Sequence, residues 1–93
     1  DVRARVEHVE CRAELRDQAS RASKSVVLNL AEGLGGESPG VRRRHFAIAS
    51  GSTFEVAAAV DLAVAIGALP AASGERALAL AVRVKRMLRA LMR

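Results

Sequence analysis

Gln18, Ala22, Ser25, Asn29 and Glu32 recur at spacings of four, three, four and three, which places them on one stripe of an α-helix. The amides of Gln18 and Asn29, the Ser25 hydroxyl and the Glu32 carboxylate can build a hydrogen-bonded network, or, with Arg44, a ligand or catalytic cluster at Asn29 and Glu32. Polar groups at helix seams more commonly fix register than perform chemistry, and the structural network is the expectation here. Ser52 has no histidine base, because His45 lies about two turns away on the same helix, so nucleophilic catalysis is not supported and no enzyme is expected. His8, His45 and Cys11 fall in no metal-ligand spacing, so neither a metal nor a cofactor is expected. Gly33-Leu-Gly-Gly follows no strand and reads as a helix stop, not a phosphate loop.

The second chemistry is cationic. Fifteen Lys and Arg against ten Asp and Glu give a formal charge of +5, which suits a polyanionic partner. Arg42, Arg43 and Arg44 point in three directions on a helix; with Arg44 assigned to Glu32, Arg42 and Arg43 are free to meet phosphate or an acidic neighbour. The two Phe are the only aromatics, so base stacking is not expected and backbone contact is the available mode.

Helices must position these residues. Val2, Val6, Val9 and Ala13 mark a short amphipathic segment, with no Gly or Pro to decide whether it bends before Leu15 or runs straight on, and a central helix follows from about Ala13 to Leu34, with an apolar stripe at Leu15, Ala19, Ala22, Val26 and Leu30. Gly33, Gly35 and Gly36 should end it by adopting left-handed backbone. Ser38 caps a third helix with Pro39 in its first turn, running to Ile66 and burying Phe46, Ala49, Thr53, Val56, Val60 and Ala63. Gly67, Pro70 and Ser73 make the next turn. Ser73 is expected to cap a last helix, Gly74 to about Met92, which buries Ala77, Ala81, Val84, Leu88 and Leu91, with Leu80 and Met87 widening the stripe and Arg83, Arg86, Arg89 and Arg93 on the far side.

The short Gly35–Ser38 turn makes the second and third helices antiparallel. Residues whose numbers sum to about 76 then face one another: Glu32 and Arg44, Ser25 with Gly51 and Ser52, Arg21 and Glu55. Two ion pairs would bracket a close contact of small residues.

The motifs Gln-x-x-Arg-Ala-x-x-Ser from Gln18, Asn-x-Ala-Glu-Gly from Asn29 and Arg-x-Phe-x-Ile-Ala-x-Gly-Ser-x-x-Glu from Arg44 resemble the small helical proteins encoded in intervening sequences of bacterial 23S rRNA genes. The resemblance implies an all-α, up-and-down antiparallel four-helix bundle, here with a short or truncated first helix, and assembly as a homopentamer. That family is similar in fold to the basic pentameric accessory protein of diversity-generating retroelements, which binds nucleic acid. By that analogy Arg42, Arg43, Arg83, Arg86 and Arg89 are candidate phosphate contacts; Arg21, Ser25, Asn29, Glu32, Arg44, Ser52 and Glu55 are the structural network that the antiparallel register gives.

At 93 residues the chain is expected to be a single domain, residues 1–93. One cysteine excludes an intrachain disulfide and points to a reducing, cytoplasmic setting. Asp-Val-Arg-Ala-Arg lacks the apolar core of a signal peptide, and the apolar run Ala57–Ala72 is broken by Asp61, Gly67 and Pro70, so no membrane partner is expected. The expected function is therefore a non-enzymatic homo-oligomer that binds RNA or DNA through backbone charge, or else a protein-interaction scaffold. Phe54, Ala58, Leu62, Leu78 and Val82, lying off the core seams, are the expected self-association positions.

Overall fold

The structure, a computed structural model, describes residues 1–93 and contains three helices: α1 (Val2–Leu34), α2 (Pro39–Ala65) and α3 (Ala71–Leu91). All-α architecture is as expected, but the count of helices is three, not four. No Gly or Pro interrupts the chain between Asp1 and Leu34 before Gly33, so the amphipathic segment at Val2–Ala13 and the central helix are one continuous rod of 33 residues. Asp1 caps it, its side chain accepting from the Arg3 N–H at 3.1 Å.

Ser38 caps α2 by accepting from the Val41 N–H at 3.2 Å, with Pro39 in the first turn. At its other end Gly67 takes φ 78°, and the N–H groups of Gly67 and Ala68 bond back to the carbonyls of Val64 and Ala63. That left-handed residue reverses the chain into α3. The glycines closing α1 work differently, since Gly35 caps at φ −90° and none of them has positive φ. Gly33 is instead a packing residue: a Cβ there would lie 2.5 Å from Cε1 of the buried Phe46 ring. Ser73 does not cap α3, which begins two residues earlier at Ala71 behind Pro70; its hydroxyl accepts from Arg76 at 3.3 Å.

The middle helix packs against both others, while α1 and α3 do not close on each other along their length. Phe46 meets Leu88 near one end of the α2–α3 seam and Val64 crowds Gly74 at the other, so α3 runs antiparallel to α2. Phe46, Ala49 and Leu88 form the core, with Leu30, Val84 and Met92 around it. The result is a slab of 56 × 22 × 13 Å in which only ten residues are buried. Burial on that scale leaves much apolar surface without a partner.

That deficit explains where the expected core faces fail. On α3, Leu80, Met87 and Leu91 remain 59, 57 and 42 % exposed, because no fourth helix covers their side. Phe54, Leu62 and Val82 are open as expected, whereas Leu78 is half-buried. By length and composition alone α2 could cross a bilayer, with a mean hydropathy of 1.4 over its best window. This is weak evidence, as the apolar central helix of any bundle meets the same criterion.

Candidate nucleic-acid interface and polar seam

One face of α2 meets α1 through His45, Ala49, Ser52, Val56 and Ala59, at alternating spacings of four and three. Ser25 and Ser52 lie opposite each other with their hydroxyl oxygens 2.7 Å apart, which confirms the antiparallel register at its centre. Asn29 sits one turn further along α1. Its Nδ2 donates to the Ser25 carbonyl at 2.9 Å and reaches the Ser25 hydroxyl at 3.2 Å. Because a carbonyl only accepts, this fixes the amide orientation and leaves Oδ1 as the acceptor for His45 Nδ1, 3.0 Å away. Across the same ring, His45 Nε2 lies 3.4 Å from Oε2 of Glu32. A neutral imidazole with its proton on Nδ1 satisfies Asn29; the imidazolium also donates to Glu32.

The ion-pair scheme read from the sequence is thereby corrected. Glu32 meets His45, not Arg44. Counting back seven residues from Ser52 along the seam gives His45, whereas Arg44 is turned about 100° away from it and is exposed. Arg21 and Glu55 do not form an ion pair either; both line an open cleft of about 620 Å³ beside Gln18, Ser25 and Ser52, on the outer side of the seam. Gly51 does not make the close approach assigned to it, since nothing lies within 4 Å of where its Cβ would be. Apart from His45–Glu32, the one ion pair within 4.0 Å is the exposed Arg3–Glu7 pair at 3.8 Å. No three His, Cys, Asp or Glu side chains converge in a way that could hold a metal ion, and every buried side-chain polar atom has a partner.

Cationic residues gather elsewhere. The antiparallel packing brings the start of α2 beside the end of α3, where Arg42, Arg43 and Arg93 surround a small cleft of about 70 Å³ with Pro39, Leu91 and Met92. No carboxylate lies within 4.0 Å of these arginines. Arg83, Arg86 and Arg89 climb α3, each exposed and equally unpaired, and each step of three residues turns the next about 60° around the helix. Arg43 and Arg93 are thus in one place, and the α3 arginines spread over a broad face. Arg93 is the residue that spacing alone did not join to Arg42 and Arg43; the α2–α3 register does so.

Comparisons with curated proteins and with solved structures found no match. A family-level comparison gave one, across nearly the whole chain and including the Ser25, Asn29, Glu32 and Ser52 seam. Its match over residues 5–90 places this chain in the family of 23S rRNA-intervening sequence proteins.

Proposed function

We propose that the protein is a non-enzymatic homo-oligomer that binds RNA or DNA through phosphate contacts. The observation that carries this reading is the convergence of Arg42, Arg43 and Arg93 on one cleft with no carboxylate within 4.0 Å of them. The charge surplus lies next to it: α3 and the two residues after it hold Arg76, Arg83, Lys85, Arg86, Arg89 and Arg93 against Glu75 alone. Guanidinium groups pair with phosphate in a bidentate fork, and the scarcity of aromatics leaves backbone contact as the mode of binding. Self-association is supported by the exposed Ile48, Phe54, Leu62 and Val82 on the outer side of α2 and α3. A closed ring, five-membered by the family resemblance, would repeat the basic cleft around its axis, in a bacterial cytoplasm where ribosomal RNA is abundant.

Fluorescence anisotropy with a labelled RNA duplex and a labelled DNA duplex, from low to moderate salt, tests the reading. Affinity should fall steeply and linearly in log salt. Absence of binding at low salt rejects the nucleic-acid role. A second reading, a protein-interaction scaffold, is favoured by the same exposed apolar residues, and a multimer that ignores both probes would establish it.

A further inference from the structure

The cleft where the start of α2 meets the end of α3 holds about 70 Å³, on the order of two waters at about 30 Å³ each. That is room for one phosphate group and none for a nucleoside. Arg42, Arg43 and Arg93 stand around it, with Leu91 and Met92 as apolar wall. Glu37, the side-chain carboxylate nearest to Arg42 along the chain, is exposed and makes no ion pair within 4.0 Å. Arg42 is held from behind: a Cβ on Gly36 would lie 2.7 Å from its Cγ and 3.3 Å from its backbone nitrogen, so the arginine stem fills the space that the glycine leaves. We infer that this cleft takes the terminal phosphate of a nucleic-acid strand in preference to the phosphates within it. The inference rests on the nucleic-acid binding proposed above and names the group bound.

Charge and oxygen count favour the strand end. A phosphate inside a strand carries a single negative charge and two free oxygens, with a sugar on either side; a terminal monoester carries close to two charges at neutral pH and three free oxygens. Three guanidinium groups around one small cleft match the second group. An internal phosphate would also bring both of its sugars to a space that fits neither. Cations continue from the cleft, since Arg86, Arg89 and Arg93 recur at spacings of three and four and form one exposed row that ends there. Such a row can meet the phosphates that follow the end of a strand, which a free phosphate or a phosphorylated peptide does not carry.

Fluorescence anisotropy on the full chain tests this with one short RNA strand, labelled at one end and bearing at the other a hydroxyl, a phosphate or a methyl phosphate, in 5′ and 3′ versions. At low salt the phosphate strand, in at least one version, should bind several-fold more tightly than the hydroxyl strand, and the singly charged methyl phosphate strand should lose most of that gain. Arg42→Ala with Arg43→Ala should bring the ratio of phosphate to hydroxyl affinities close to one. Gly36→Ala should lower the ratio without removing a charge, and Arg44→Ala should leave it unchanged, with circular dichroism checking that each variant folds. Equal affinities in both versions, or a ratio that survives the double change, overturn the inference; the nucleic-acid reading stands if every strand still binds with a steep salt dependence, and no binding by any strand removes both. Inorganic phosphate and a phosphoserine peptide serve as competitors, and each should displace the phosphate strand only at concentrations many-fold above that of the unlabelled strand. Either one competing as well as the strand itself would make the ligand a free anion or a protein and overturn the inference.

Discussion

Ser25 and Ser52 share a hydrogen bond of 2.7 Å between two hydroxyls on different helices, and Ser52 is only 7 % exposed. Removing one hydroxyl takes from the other its partner across the seam, at the edge of the cleft lined by Gln18, Arg21 and Glu55, and leaves Asn29 as the further partner of Ser25 alone. Ser25→Ala should therefore cost about 1–2 kcal/mol, and the double change to Ala should cost less than the two single changes added together. Urea unfolding of the four proteins gives the coupling; additive losses would show that the two hydroxyls do not act as a pair.

Glycine at 33 has a different role from glycine at 51. Gly33→Ala places a methyl 2.5 Å from the Phe46 ring, which is 3 % exposed and packed on Ala49 and Leu88, so the ring cannot step aside. The helix-propensity gain of about 1 kcal/mol should be outweighed by an overpacking cost of about 1–3 kcal/mol. Gly51→Ala meets nothing within 4 Å and should keep the gain. Thermal melts of the two variants should move in opposite directions.

Local features of this chain were legible in its sequence: the Ser38-Pro39 start of α2, the end of α1 near Leu34, the antiparallel register and the Ser25–Ser52 contact all follow from capping chemistry and helical spacing. The errors came where a second dimension was needed. A sum of residue numbers fixes height along a seam but not rotation about the helix, so it pairs Arg44 with Glu32 where His45, one residue on, faces it. Leu80, Met87 and Leu91 read as core because they share the stripe of Val84 and Leu88, yet burial also needs a neighbour on that side, and one copy supplies none. The join at Ala13 was invisible because an uninterrupted helix carries no signal where one amphipathic stripe gives way to another.

The corrected seam makes its own prediction. His45→Ala should destabilise the protein by about 1 kcal/mol, since His45 also bonds Asn29, and Glu32→Ala by less than about 1 kcal/mol, since the Glu32 side chain is 63 % exposed. Arg44→Ala should change stability by no more than about 0.5 kcal/mol, as an exposed residue without an ion-pair partner. Chemical denaturation ranks the three. An Arg44 variant as damaging as Glu32→Ala would restore the pairing that the geometry rejects.

Arg44 also serves as the control for nucleic-acid contact, because it matches Arg42 and Arg43 in charge and exposure but does not line their cleft. Each lost phosphate contact should flatten the slope of log affinity against log salt by about 0.9 for duplex DNA and about 0.7 for a single strand. Arg42→Ala, Arg43→Ala and Arg93→Ala should each do so, and the triple change should remove the most. Arg44→Ala carries the same loss of net charge with no cleft contact, so it should weaken binding slightly and leave the slope nearly unchanged. Equal slopes for Arg44→Ala and Arg43→Ala would mean that the polyanion senses only the overall charge of +5, and the cleft at the α2–α3 end would lose its role.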